Sequence, residues 1–333
     1  MYNNVVIVYI ITIYYKVNGK KIMQNIFIVN PAAGKRNSKD NFISQITAFC
    51  DTHEDCSTYI TKGISDATEF VKKTCQNSNE HFRFFACGGD GTLNEVINGA
   101  AGHNNAIVGC LPIGTGNDFV RNFKTDGDFL NFEHQINGNV FEIDLIEYQG
   151  SYNGQIKSGF SANMFNIGFD CNVVDMTAKL KKHRLISGSF AYLLGVALIL
   201  IQKKGANLKI SSKDDVLLQG PLLLTTIANG CYCGGGVKSN PTAEVDDGLF
   251  DLQIILDMSR LTFINLFPKY SKGTHLSSKK AKDLILYKVL NYVNIEAINH
   301  PMRASIDGEV TSFDSLTLSI GNHKMLFSVP QPV

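Results

Sequence analysis

The sequence has no CxxC pair, no GxxxxGKS/T loop and no excess of charge of one sign. It also has no uninterrupted apolar run long enough to cross a bilayer. Each absence excludes something. Eight cysteines at 50, 56, 75, 87, 110, 171, 231 and 233 show no zinc-ligand spacing and follow no secretory signal, so they read as reduced thiols in a cytoplasmic chain. With 31 basic and 30 acidic residues the formal charge is +1, which provides no global attraction to nucleic acid and leaves any pull toward anionic surfaces to local clusters. Without the GxxxxGKS/T spacing a Walker-type phosphate loop is excluded. The apolar run Val5–Tyr15 spans 11 residues, too few for a membrane helix; Leu185–Ile201 spans 17 with Ser187, Gly188, Ser189, Tyr192 and Gly195 inside it, which reads as a helix packed on the β domain, with a membrane span as the alternative.

Glycine-rich turns between apolar runs stand in place of these features. Phe82–Cys87 is a strand-like run that breaks at Gly88-Gly89-Asp90-Gly91, after which Leu93, Val96, Ile97 and Ala100 recur at helical spacing. A strand, a tight turn and a helix in that order aim backbone N–H groups at an anion. The pattern repeats about 25 residues later: the strand Ala106–Leu111 runs into Gly114-Thr115-Gly116-Asn117-Asp118, where Thr115 is able to donate to a phosphate. Upstream, Asn25–Val29 runs into Asn30-Pro31-Ala32-Ala33-Gly34-Lys35. Asp90 repels phosphate by charge and reads as a metal-water ligand or an acceptor that organises its loop.

Helices over 38–50 and 66–75 and a strand over 56–61 fill the intervals. Alternating strands and helices through Arg121 predict a parallel α/β sheet, with its ligand at the carboxyl ends of the strands. The turns at 30–35, 88–92 and 114–118 all lie at those ends and are expected to share one crevice. From about Val140 the period changes to two, at 141–146, 207–211, 216–228, 249–256, 292–298 and 315–329, which predicts an antiparallel β domain. The expected division is a leader at 1–22, an α/β domain at 23–140 completed by about 320–333, and a β-rich domain at 141–319. The leader reads as an upstream start or a disordered extension, with a membrane anchor as the alternative. Pro268–Lys282 is basic and reads as a loop.

Two acidic stretches allow more than one reading. Glu244, Asp246 and Asp247 crowd three carboxylates into four residues, which suits a hard divalent cation as well as a plain Asp-Asp-Gly turn. Asp307-Gly308-Glu309 sets two acids around a glycine, as a general base for an alcohol acceptor or as another hairpin.

G-G-D-G-T-L-N-E-V with P-I-G-T-G-N-D-F-V-R resembles the diacylglycerol kinase catalytic-domain family, which takes in bacterial soluble lipid kinases and, more distantly, sphingosine and ceramide kinases. NAD kinases share the GGDG turn; the GTGND turn separates the two. The resemblance runs over residues 25–328, and Val120, where a small residue is more usual, is the one departure inside a motif. It implies a phosphofructokinase- or NAD-kinase-like α/β domain joined to an antiparallel β domain. ATP is implied at Asn30, Pro31, Ala32, Ala33, Gly34, Lys35, Thr61, Gly88, Gly89, Asp90, Gly91, Thr92, Asn94, Glu95, Gly114 and Thr115. Asp90, Asp118 and Asp144 are implied in a cleft and metal-water network. Mg²⁺ is implied at Asp247 with the carbonyls of Glu244 and Leu249. Glu309 is implied as general base, supported by Asp307. The implied reaction is ATP-dependent phosphorylation of a membrane lipid, diacylglycerol first, by a cytoplasmic protein in peripheral contact with anionic membrane through basic segments such as Lys179–Arg184. No nucleic-acid partner is expected, and a homodimer is left open. Two other readings stand beside this one: an NAD-kinase-like enzyme with a soluble acceptor, and a non-catalytic regulator that binds nucleotide or lipid.

Overall fold

The computed structural model describes residues 23–34, 36–168, 205–213, 215–278 and 281–333. The leader at 1–22, Lys35 and the basic and apolar stretches between 169 and 204 lie outside the described residues. The chain forms two compact units. The first runs to Gly114 and adds Phe123–Ile143 and Lys324–Val333; the second holds Thr115–Asn122 and Asp144–His323.

In the first unit, β1 (Gln24–Val29), α1 (Arg36–Cys50), β2 (Cys56–Ile60), α2 (Asp66–Asn77), β3 (Phe82–Gly88), α3 (Asp90–Ala100) and β4 (Ala106–Pro112) alternate. The strands are parallel in the order β2-β1-β3-β4, with the C-terminal end of β15 (Ser315–Val329) added beside β4 through Leu326↔Ile107. β3 is buried along its whole length, as a strand covered on both faces must be, and for that reason it reads as an apolar run interrupted only by Arg83. Phe27, Val29, Phe85, Cys87 and Leu111 form one core with Ile46 of α1, closed by Phe49 and by Phe132 and Ile136 of the short helix α4 (Phe132–Ile136). Phe27 stacks on Phe85 at 4.9 Å. The buried Arg83 donates to the carbonyls of Gln135 and Ile136 at the end of α4, and the same burial holds its guanidinium down to about 10.

The second unit is antiparallel. The long strand β9 (Asp215–Ala228) pairs with β7 (Met164–Gly168), β8 (Ala206–Ser212) and β10 (Phe250–Leu256). β10 in turn pairs with β11 (Ile285–Leu290), and β8 with β12 (Tyr292–Ala297), which meets the start of β15. The hairpin of β13 (Met302–Ile306) and β14 (Glu309–Phe313) lies on the other side of β7, while β5 (Asn139–Tyr152) pairs with β6 (Gln155–Ser161). Phe165, Ile167, Leu208, Ile227, Leu252, Ile295, Phe313 and Leu318 are among the core residues.

One expectation is corrected here. Residues 268–271, read as loop, belong to α5 (Arg260–Ser271), with Pro268 inside it and Ser259 as N-cap, its side chain accepting from Thr262 N at 3.1 Å. Phe263, Leu266 and Tyr270 anchor this helix on Leu223, Leu224 and Ile255. That packing outweighs the missing proline N–H.

Candidate functional site

In the first unit the strand register decides the geometry. Val29 lies beside Cys87 and Ile60, Cys87 beside Leu111, and Gly88 beside Pro112. Strands that end level bring their following turns together, and hydrogen bonds then tie those turns. Asn30 N donates to Cys87 O at 3.1 Å, and Gly114 N donates to Gly88 O at 3.0 Å. Asn30 Nδ2 donates to Thr92 Oγ1 at 3.0 Å, while Asn30 Oδ1 accepts from Ala32 N at 2.8 Å. Thr61, buried just past β2, donates its N–H to Val29 O at 2.9 Å. Pro31, Ala32 and Gly34 are exposed beside them.

Gly88 cannot be replaced cheaply, because a Cβ there falls 2.2 Å from Thr92 Oγ1 and 2.5 Å from its Cβ. Gly89 is the N-cap of α3, and it has no side chain to occupy the first helical N–H groups. A helix N-terminus so presented is suited to an anion. Asp90 and Gly91 open that helix half-buried, followed by the buried Thr92 and half-buried Asn94. Glu95 is engaged away from this turn. Its carboxylate accepts from Ser65 N at 3.0 Å and Ala67 N at 3.2 Å, which caps α2.

The remaining carboxylates lie in the second unit. Asp118 is buried; both its oxygens accept from Gly235 N, at 2.9 and 3.1 Å, and Arg121 Nε lies 3.7 Å away. Gly234, Gly235 and Gly236 all have positive φ, a path that only glycine follows without strain. Asn122 Oδ1 accepts from Cys231 N at 2.8 Å. These bonds explain why 115–122, Thr115 included, groups with the second unit. The buried Asp144 meets the 244–249 loop: its N–H donates to Val245 O at 2.7 Å, and its Oδ2 accepts from Gly248 N at 2.6 Å. Leu249 N donates to Asp247 Oδ1 at 2.9 Å. Desolvation raises the Asp247 carboxyl above its ordinary value, the Leu249 N–H opposes this, and Asp144, Asp251 and Glu244 add to the rise.

Asp307 and Gly308 form the two-residue turn of the β13–β14 hairpin, with φ of +46° and +96°, values that type I′ turns require. Asp307 is buried. Its Oδ1 accepts from Ser161 Oγ at 2.6 Å, Met164 N at 2.9 Å and Asn163 N at 3.2 Å, and its Oδ2 accepts from Ala162 N at 3.2 Å. Its own N–H returns to Met164 O at 3.1 Å. Nothing near Asp307 in the sequence announces Ser161 or this turn, since the partners lie 143 to 146 residues away. Glu309 follows as the exposed first residue of β14. It is close enough to Tyr148 to help burial and Asp307 raise that phenol.

Residues 24–148 match the diacylglycerol kinase catalytic domain, and residues 163–325 match the YegS C-terminal NAD kinase beta sandwich-like domain. The chain belongs to the diacylglycerol kinase catalytic-domain family. It is therefore an ATP-dependent phosphotransferase. Among relatives of this family, a diacylglycerol kinase of Bacillus subtilis is 28% identical over 285 residues, covering 85% of this chain and 88% of its own length. One from Staphylococcus saprophyticus is 29% identical, with coverage of 85% and 87%. A crystal structure of a diacylglycerol kinase from Bacillus anthracis superposes with a TM-score of 0.64 at 19% identity, over 94% of this chain and 98% of that one. A second, described as a putative diacylglycerol kinase from the same organism, gives 0.65 at 21%. These structures share the fold expected from the sequence, a parallel α/β domain followed by an antiparallel β domain. Among the described residues no helix is long and apolar enough to cross a membrane.

Proposed function

We propose that this lipid kinase transfers the γ-phosphoryl group of ATP to the hydroxyl of diacylglycerol, giving phosphatidic acid. The observation that carries the nucleotide half is the tie between the 30–34, 88–92 and 112–114 turns beside the N-terminus of α3. In this reading the phosphates lie against Asn30–Lys35, Gly88–Asn94 and Gly114–Thr115, with Thr61 at their margin. Asp90 organises its loop. Asp118 acts through the Gly234–Gly236 backbone that it holds, and Glu95 acts by fixing α2 against α3. The choice of diacylglycerol rests on the relatives named for that substrate.

Glu309 takes the proton of the acceptor hydroxyl as its oxygen attacks the γ-phosphorus. Asp307, with both oxygens committed to 161–164, positions the hairpin that carries Glu309. In phosphoryl transfer, positioning and charge neutralisation provide most of the acceleration.

Magnesium fits the 244–249 loop by the chemistry of its donors. Carboxylates of Asp144, Glu244 and Asp251 burden Asp247 in a way a hard cation offsets. Among the described residues no three acidic, His or Cys side chains group closely enough to hold an ion by themselves. The donors in this reading are those that the family resemblance implies, Asp247 with the carbonyls of Glu244 and Leu249. When bound, the ion neutralises negative charge around the loop and fixes it.

The test offers wild type and Glu309→Ala labelled ATP with Mg²⁺, mixed micelles of diacylglycerol, undecaprenol, sphingosine and phosphatidylglycerol, and soluble NAD. The expected result is label in diacylglycerol that falls by about 10²–10⁴ in the variant while ATP binding persists. Label in NADP alone refutes the lipid acceptor, and ATP binding without any turnover favours a regulator.

A further inference from the structure

The helix α5 is apolar on two opposite sides. Phe263, Leu266 and Tyr270 face the core. Leu261, Ile264 and Pro268, at spacing i, i+3 and i+7, lie on the other side, with Leu261 74% exposed and Ile264 53% exposed. Helical geometry sets that second stripe in one line, interrupted only by Asn265. A surface helix in water has a polar outer face, so this one is built for something other than water.

The charge around it identifies the partner. From Met258 to Lys282 the sequence contains no Asp or Glu, but it contains Arg260, Lys269, Lys272, Lys279, Lys280 and Lys282, in a chain whose total formal charge is +1. Lys272 is exposed past the C-terminal end of α5, and Lys269 Nζ donates to Ser278 Oγ at 3.3 Å. Lys238 joins them: its N–H donates to Ser271 O at 3.0 Å, and its side chain runs past Gly273, where an added Cβ lies 3.0 Å from Lys238 Cδ. The negative end of the helix dipole accounts for lysines at that terminus. It does not account for Leu261 and Ile264 at the other.

We propose that the outer face of α5 docks the protein on an anionic phospholipid bilayer, with Leu261 and Ile264 entering the headgroup boundary and the lysines meeting lipid phosphates. An exposed apolar stripe in a stretch that has basic residues and no Asp or Glu is the composition of an interfacial helix, and each basic group near an anionic surface adds a several-fold gain in partitioning. The inference rests on the lipid-kinase reading only in supposing that the acceptor lies in a membrane.

The test is co-sedimentation of the full chain with phosphatidylglycerol–phosphatidylcholine vesicles and with pure phosphatidylcholine vesicles. The variants are Leu261→Asp with Ile264→Asp, the milder Leu261→Ser with Ile264→Ser, and Lys269→Gln with Lys272→Gln. Both residue pairs are exposed, so unfolding midpoints should stay put; the serine pair replaces the aspartate pair if they do not. We expect wild type to bind anionic vesicles in a salt-sensitive manner and each pair to lose at least tenfold in partitioning. Turnover of a short-chain, water-soluble diacylglycerol should be unchanged. Undiminished vesicle binding in the folded variants overturns the proposal. So does a wild-type dimer that the Leu261/Ile264 variants convert to monomer while vesicle binding stays constant, which reassigns the face to a second copy of the chain. Vesicle binding that depends on α5, without phosphorylation of any lipid, keeps the docking face and refutes the acceptor instead.

Discussion

Asp307→Asn separates a chemical role for this carboxylate from a positioning role. The backbone is indifferent to the change, because φ is +46° at 307 and asparagine enters the left-handed region as readily as aspartate. Three donors converge on Oδ1, from Ser161 Oγ, Asn163 N and Met164 N, and one reaches Oδ2 from Ala162 N. Asparagine with its carbonyl in the Oδ1 place keeps the first three bonds, though without the charge that roughly doubles their strength. Its NH₂ then faces the Ala162 N–H, donor against donor, at a buried site where an unmet group costs about 1–3 kcal/mol. Adding about 0.5–1 kcal/mol for each of the three weakened bonds gives a loss of about 2.5–6 kcal/mol. For a unit of this size that is a fall of about 5–20 °C in unfolding midpoint. Urea denaturation read alongside labelled-ATP turnover checks it. The positioning role requires lowered stability with a modest loss of kcat that recovers on cooling. Stability within about 0.5 kcal/mol of wild type, together with a thousandfold loss of kcat at every temperature, would place Asp307 in the chemistry and refute this reasoning.

Glu95→Gln should cost about 1 kcal/mol, the usual worth of a helix cap, because it weakens the bonds to Ser65 N and Ala67 N. Its KM for ATP should match wild type, and a tenfold rise without any loss of stability would return Glu95 to the nucleotide. His275 is fully buried, with Nε2 2.5 Å from Gln253 Oε1. Burial holds it down to about 4, against the weaker pull of the Lys269 carbonyl. Between about pH 6.5 and 4 the unfolded chain takes up a proton that the folded chain refuses, so stability falls as pH drops through that window. Between pH 7 and 5 the fall from this residue is about 2 kcal/mol. Urea unfolding at both values should show it in wild type and not in His275→Gln; equal pH dependence in the two proteins contradicts the assignment.

The first unit was legible because its signals are local. β3 was expected at 82–87 and runs Phe82–Gly88, and α2 was expected at 66–75 and runs Asp66–Asn77. A doubly buried strand is an apolar run, and a glycine turn follows it wherever ligand or backbone must come close. The alternation at 315–329 marks both ends of β15, since alternation survives in a half-buried strand. Helix α5 was missed for the reason that makes it unusual. A helix with apolar residues on both sides has no single amphipathic face to announce it, and Pro268 with its neighbouring lysines reads as loop.

Site carboxylates show a deeper limit. The motifs give Asp90, Asp118, Asp307 and Glu309 equal standing as letters, but the work left for each depends on which of its oxygens the fold already uses. Asp118 spends both on Gly235, 117 residues away. Asp307 spends both on a turn more than 140 residues before it. Glu95 spends both on the neighbouring helix. No window along the chain contains those partners. A carboxylate that anchors several backbone N–H groups is a poor proton acceptor, because accepting a proton would break the bonds that hold it. Glu309 is exposed at the start of β14, on the hairpin that Asp307 clamps. Exposure and the contrast with the buried Asp307 support the role of proton acceptor that the family resemblance implies for Glu309.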